Sequence, residues 1–436
     1  DTSLLFRHTA GSMGVKILSN GLLFGAQILF ANWLGIDGFG IYLLALAWMN
    51  ILLLVGRQGF DIATVRFVAE YKASAQWGRL RGFLQASTVI VLSGSLLTGA
   101  GLAVVCTLLR DRLGPGAYEG FLVVCGIIPV FALLHIKAAT LRGFGAVVLG
   151  DIPHSIIHPA LLILIPLCAV FLFGHDFTPA GALWAYLISL ALSLVTIWTL
   201  MRAHIPAAAR GATPEYRLRE GMLVAPAMTL ITGFGIVLNQ IGIIVLGAMA
   251  PPADAGLFGA GTRVAWTLQL IVFALISAVA PMAARLHAAG DLPGLQRAIA
   301  SASRAVFLLA ATGAAVLLLA GDWVLGWFGP EFRSAYGVMA ILLIGQLAWA
   351  ANATAGVILN MTGRHNESAV ILGFSVLANI GLSVLLVPRW GAEGAAIANT
   401  ATIVLWNMAT ACGVYRWLGM RSWAWPGNAL PREAAA

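Results

Sequence analysis

GFGIYLLALAW, residues 38–48, and AGLFGAGTRVAW, residues 255–266, are two versions of one stretch. Each has a small-residue opening and an apolar run that closes on Ala-Trp. Each opens a predicted membrane span, and a short basic segment follows that span: RFVAEYKASAQWGRLRG (66–82) in one case, ARLHAAGDLPGLQRA (284–298) in the other. Further along, TPAGALWAYLIS (178–189) answers GAEGAAIANTAT (391–402) at a matching separation. A chain that repeats itself in this way is a duplication, and its halves are expected to fold alike.

The rest of the sequence is read outward from these pairs. Apolar runs of about 20 residues, the length needed to cross a bilayer, occur near 14–34, 40–57, 83–109, 117–140, 153–174, 180–201, 222–249, 256–280, 305–328, 336–360, 368–388 and 394–415. These are twelve predicted spans. Hydrophobic residues form 60% of the chain, charged residues 10%, and the mean hydropathy is +0.92. A soluble domain cannot cover that much apolar surface, so the fold class is an all-α polytopic membrane protein.

The one long polar connection, 202–221, separates two sets of six spans. We therefore expect an N-terminal six-helix bundle (1–201), a cytoplasmic linker (202–221), a C-terminal bundle (222–420) and a cytoplasmic tail (421–436). Six is even, so both halves enter from the same side and the repeats are parallel. Repeats of this kind place a binding site where the halves meet, here a central cavity.

Charge gives the orientation. With the N-terminus inside, all but Arg110, Arg112, Arg263, Arg333 and Arg389 of the 25 Lys and Arg residues fall on the inner face. The acids divide almost evenly, so the bias belongs to the cations, as the positive-inside rule requires. Both termini are expected to be cytoplasmic. The net charge of +8 is thereby assigned to topology and to anionic inner-leaflet lipid rather than to nucleic acid.

No enzyme constellation is present: there is no GxSxG, HExxH, Walker A or paired carboxylate within a span. His154 and His158 have the i, i+4 spacing of metal ligands on a helix, but no third ligand accompanies them and Pro153 and Pro159 flank them. They read as structural or interfacial groups, and neither a metal nor a cofactor is expected. Cys106, Cys125, Cys168 and Cys412 lie inside spans and read as small buried packing residues.

Candidate binding residues are polar groups on otherwise apolar helices. Ser12, Lys16, Asn20 and Gln27 share a face of span 1, and Asn50, Arg57, Asp61 and Thr64 share one on span 2. Thr232 and Asn239 do so on span 7, and Arg263, Thr267, Ser277 and Pro281 on span 8. Asn399, Thr402 and Thr410 add to these on span 12.

A cation at bilayer depth costs about 2.5–3.5 kcal/mol and faces a cavity or a partner by default. Lys16 and Arg57 lie near inner ends, where long side chains can snorkel, and Arg57 has Asp61 at i+4. Arg263 lies about 10 Å into span 8 at 1.5 Å per residue, too deep for snorkelling alone. The expected cavity residues are Arg263, Lys16, Arg57, Asn20, Asn239 and Thr267. The spans' interiors hold almost no carboxylates: Asp61, Asp151 and Asp322 sit at ends. A cavity of guanidinium, ammonium and amide groups suits an anion such as a phosphate or pyrophosphate.

With these features in view, the chain resembles the multidrug/oligosaccharidyl-lipid/polysaccharide exporter superfamily. Within it, the chain is similar to the polysaccharide-biosynthesis flippases for oligosaccharides. The resemblance is carried by ANWLGIDGFGIYLLALAW (31–48), LRGFG (141–145), PPADAGLFGAGTRVAW (251–266) and SAVAPMAARLHAAGDLPGLQRA (277–298). It implies two bundles alternating between inward and outward openings, with spans 1, 2, 7 and 8 lining the cavity. Arg263 matches the arginine that similar flippases carry on span 8.

The implied function is movement of an undecaprenyl-pyrophosphate-linked oligosaccharide across the bacterial cytoplasmic (inner) membrane for O-antigen, capsule or exopolysaccharide assembly. The implied partners are that lipid-linked oligosaccharide, membrane lipid, and a polysaccharide polymerase with its chain-length regulator. The alternatives are a sodium- or proton-coupled multidrug exporter of the same fold and a non-transporting scaffold of a glycan-assembly complex.

Overall fold

A computed structural model describes residues 2–111, 113–174, 177–216, 219–270, 291–355 and 364–418, with Val272, Met282, Arg285, Leu286, Ala289, Ile358 and Leu359. Ser277, Pro281 and the tail from 421 onward lie outside the described residues, as do the side chains of Ser12 and Thr232. Among the described residues there is no β-strand. The chain divides into two compact units, Asp1–Ile236 and Val237–Ala436.

Unit 1 contains α1 (Thr2–Arg57), α2 (Phe60–Ala73), α3 (Trp77–Leu108), α4 (Pro115–Gly143), α5 (Val147–Ile152), α6 (His158–Phe173), α7 (Pro179–His204) and α8 (Ala207–Gly211). The boundary between the units falls inside α9 (Arg219–Met249). Unit 2 continues with α10 (Pro252–Ala265), α11 (Leu292–Gly326), α12 (Tyr336–Ala351) and α13 (His365–Leu418).

Eight described helices are long and apolar enough to cross a membrane. Two of them carry two predicted spans each. α1 runs through spans 1 and 2 and bends at Gly35 (φ 66°, ψ −179°). α13 runs through spans 11 and 12 and bends at Gly391 (φ 50°, ψ −128°). That part of backbone space is open essentially to glycine alone, so each corner needs no loop. The seventh span is the shorter apolar helix Gly233–Met249, and the eighth begins with α10. The corner between α9 and α10 is turned by Ala250, Pro251 and Pro252 instead, with Pro251 extended (φ −59°, ψ 151°) ahead of the helix. Proline suits a first turn because its missing N–H would have no intrahelical partner there.

Two boundaries differ from the sequence reading. The basic stretch 66–82 after span 2 is not one helix, because α2 ends at Ala73 and α3 has begun by Trp77. In unit 2 the part of the second basic stretch from 292 to 298 is no separate helix. It is the first part of α11, which continues unbroken to Gly326. Polar composition marks where a helix leaves the bilayer, not where it stops.

In unit 1, α4 is the hub, packing against α1, α2, α3 and α7. In unit 2, α12 plays that part against α10, α11 and α13. Lipid tails are as apolar as the helices, so close packing rather than water exclusion joins them. Gly99 of α3 illustrates this: a Cβ there would lie 2.7 Å from the Cys125 carbonyl oxygen on α4. α2 buries Phe60, Ala63, Thr64, Phe67, Val68 and Tyr71, an i, i+3, i+4, i+7 stripe. Phe67 meets Phe83 of α3 at 5.1 Å between centroids.

The cysteines depart from expectation. Cys106 is buried and Cys125 partly so, but Cys168 and Cys412 are exposed. An apolar thiol on a lipid-facing helix surface needs no burial, which breaks the soluble-protein rule used for it.

Candidate functional site

The first site is built at the end of unit 1 where α1 stops and α4 meets α5. Arg57 closes α1 and Asp61 opens α2, with Gln58 (φ 50°) and Gly59 (φ 75°) turning the chain between them. The arginine thus sits at a helix C-terminus and the aspartate at an N-terminus, each sign where the helix dipole favours it. Their side chains pair at 2.9 Å and are 11% and 20% exposed. Arg57 Nε is buried with no hydrogen-bond partner. A second pair, Arg142 to Asp151 at 3.1 Å, clamps the end of α4 to α5.

Beside these pairs runs a row of rings. Phe131 and His135 of α4 lie 4.7 Å apart between centroids, and His135 and His154 lie 5.2 Å apart. His154 stacks on His158 at 6.0 Å and 7°, and His158 meets Tyr186 of α7 edge-on at 4.6 Å. Residues Pro153–Ile157 form a π-turn. Pro159 has no N–H to offer the carbonyl four residues back, which loosens the helix here.

His158 Nδ1 is 2.7 Å from Ser189 Oγ, whose hydroxyl proton goes to the Tyr186 carbonyl. The Ser189 oxygen must then accept, so His158 is assigned the Nδ1–H tautomer. His154 Nδ1 is buried and unpartnered. The parallel rings of His154 and His158 do not converge on a point. Among the described residues no group of three His, Cys, Asp or Glu could hold a metal ion.

Unit 2 has a polar interior of another kind. Asn352 Nδ2 donates to the Asn407 carbonyl at 2.8 Å and to Thr410 Oγ1 at 3.3 Å. Asn379 Nδ2 donates to Thr402 Oγ1 at 3.2 Å, and Ser303 and Thr354 share a bond of 3.0 Å. Thr402 and Thr410, placed on a polar face by the sequence, are therefore buried packing groups, the first bonded across the bend of α13 and the second to Asn352 at the end of α12.

Of the expected cavity residues, Lys16, Asn20 and Arg57 belong to unit 1 and Asn239, Arg263 and Thr267 to unit 2. Lys16 is exposed, and Asn20 donates to its carbonyl oxygen at 2.9 Å on α1. Arg57 is engaged with Asp61 as described. Asn239 is exposed on α9. Arg263 is partly buried in the last turn of α10, and Thr267 just beyond returns its hydroxyl to the Val264 carbonyl at 2.7 Å. Asn50 does the same to Leu46 at 2.9 Å. The structure joins Lys16 to Asn20, and it joins Arg57 to Asp61.

Sequence reasoning missed His135, Lys137 and the Arg142–Asp151 pair. His135 and His154 are far apart in sequence, so no periodicity links them. Arg142 and Asp151 flank a short inner loop, and opposite charges so placed were a usable signal for a clamp.

Residues 5–135 match the family described as polysaccharide biosynthesis protein. No curated relative matches the sequence. Among solved structures, the chain is similar to a multidrug resistance MATE family transporter of the MOP superfamily in an inward-facing conformation. Identity is 15%, with 93% of this chain and 98% of that one covered, at a TM-score of 0.76. An outward-facing MATE family transporter of the same superfamily matches at 15% identity, 94% coverage of both chains and TM-score 0.61. A MOP superfamily transporter from Pyrococcus furiosus, described as having a binding pocket of reverse polarity, matches at 16% identity. It covers 93% of this chain and 92% of its own, at TM-score 0.61.

Proposed function

We propose that this chain, a multi-pass membrane protein with the two-repeat fold of the MOP superfamily transporters, moves a lipid-linked oligosaccharide across the cytoplasmic membrane. Its family and fold are those of transporters rather than enzymes. The substrate we assign is a polyprenyl pyrophosphate carrying a glycan, used in surface polysaccharide assembly.

The observation that carries this reading is the state of the carboxylates. The three aspartates at span ends, Asp61, Asp151 and Asp322, are each held by an arginine, at 2.9, 3.1 and 3.8 Å. A cation exporter needs a buried acid that exchanges a proton or sodium ion for its substrate, whereas Asp61 and Asp151 are engaged by arginines and Asp322 lies in an exposed pair. Guanidinium and ammonium groups on the polar faces of the spans favour a phosphate, which guanidinium grips with two parallel bonds. Arg263 and Lys16 supply charge in this reading, Arg57 shares its charge with Asp61, Asn20 and Asn239 supply neutral donors, and Thr267 has its hydroxyl proton on the Val264 carbonyl. The family matched by residues 5–135 points the same way.

Arg263→Ala is expected to abolish surface polysaccharide in cells that depend on this chain, while the protein stays inserted and abundant. Full complementation by that variant removes Arg263 from the site. In vesicles, the wild-type chain is expected to show no efflux of cationic dyes. Robust dye efflux would favour the multidrug reading, which otherwise rests on fold alone.

A further inference from the structure

Away from those residues, unit 1 carries a groove of about 770 Å³ lined by Arg81, Lys137, Trp198, Arg210 and Tyr216 among others. Its floor is α4, which supplies Lys137. One wall is α3, with Arg81 and Thr88, and the other is α7, with Trp198, continued by α8 and the chain to Tyr216. Among the described residues three cations line it and no carboxylate does.

The cations are held at different depths. Lys137 Nζ is anchored by Thr88 Oγ1 at 2.9 Å, a neutral partner that leaves its charge uncompensated. Arg81 Nη1 donates to the Ala212 carbonyl at 2.7 Å, also neutral. Arg210 is exposed. The nearby acid, Glu215, faces Arg79 at 3.6 Å rather than the groove.

The groove does not end at its charges. On α4, Leu122, Gly126, Leu133 and Lys137 fall within about 60° of one another at 100° per residue, and all four are partly or fully exposed. On α3 the exposed Val89 and Leu96 lie within about 20° of one another, and on α7 Leu187, Leu194 and Trp198 lie within about 40° and are all partly or fully exposed. A cationic mouth therefore opens into an apolar trough between two helices, with an indole at the junction where amphipathic rings prefer to sit. Basic pockets between membrane helices recognise lipid headgroups by this combination.

We infer that the groove between α3 and α7 binds an anionic membrane phospholipid, its phosphate on Lys137, Arg81 and Arg210 and an acyl chain along α4. The ligand carries neither glycan nor polyprenyl chain, so this site stands apart from the proposed transport substrate.

The test titrates the full-length protein in detergent with phosphatidylglycerol and phosphatidylcholine of identical chains, followed by native mass spectrometry. Wild type should prefer phosphatidylglycerol by at least about tenfold, since three cations near a membrane surface each favour the anionic headgroup. Lys137→Gln/Arg210→Gln should lose that preference. Arg66→Gln/Arg285→Gln removes the same charge from two exposed positions outside the groove and should keep it. Arg210→Gln alone, at a fully surface position, should lose part of it and guards against misfolding of the double variant.

Three results would overturn the site. One is no preference in wild type, another is equal loss in both double variants, and the third is an unchanged preference in Lys137→Gln/Arg210→Gln. Displacement of bound phosphatidylglycerol by inorganic phosphate at comparable concentration would overturn the lipid assignment, because the trough would then contribute nothing.

Discussion

The two units solve the same packing problem with different polar chemistry. Unit 1 places ions and imidazoles among its helices: Arg57 with Asp61, Arg142 with Asp151, and the row from His135 to His158. Unit 2 places amides and hydroxyls there, as in the Asn352, Asn407 and Thr410 contact and the Asn379 to Thr402 bond. Duplicated halves share a backbone plan because hydropathy and small residues set it. They need not share interior chemistry, since a buried polar pair needs only to be mutually satisfied. An ionic interior is sensitive to the loss of either partner, whereas a neutral one loses only a hydrogen bond.

That contrast can be broken by substitution. Arg57→Leu strands Asp61 and should cost about 3 kcal/mol, the low end for opening a buried pair. The double variant Arg57→Leu/Asp61→Leu should recover most of it, as read from thermal unfolding in detergent. If the single variant is as stable as wild type, unit 1 does not depend on its ions. Next comes Gly391→Ala, for which the backbone strain alone is about 1–3 kcal/mol. Its Cβ would also sit 2.7 Å from Asp254 Oδ2, whereas one at Gly35 would meet nothing within 4 Å. The unfolding temperature should therefore fall further for Gly391→Ala than for Gly35→Ala, and the reverse order would mean the corners are not set by glycine sterics. The smallest effect is expected for Asn352→Ala, about 0.6–1.7 kcal/mol on the scale of hydrogen bonds between membrane helices. A loss as large as that of Arg57→Leu would erase the distinction between the units.

How much of this could be read in advance depended on the physical signal. The spans were legible because bilayer thickness sets a length that an apolar run must meet. Ten of the twelve predicted spans are covered by eight described helices, two of them bent at glycine. The bends themselves were not legible, since Gly35 and Gly391 look no different from the many glycines in straight helix. The Arg57 to Asp61 pair could be read from its spacing.

Which face of a span turns inward was much harder to read. Both faces of a membrane helix are apolar, so periodicity carries little information, and Thr402 and Thr410 proved to be packing groups. His135 escaped notice because its neighbour His154 comes from the π-turn Pro153–Ile157, brought there by the short loop that Arg142 and Asp151 hold.

Asn20 and Asn50 donate to carbonyls of their own helix, those of Lys16 and Leu46. Such a bond is carried along when its helix tilts, as luggage travels with a passenger. A helix equipped in this way can slide past its neighbours with no exchange of partners and no moment at which a polar group is left bare in an apolar medium. Transporters must move polar surfaces through just such a medium, and polar groups that bring their own partners add little to the barrier for that motion.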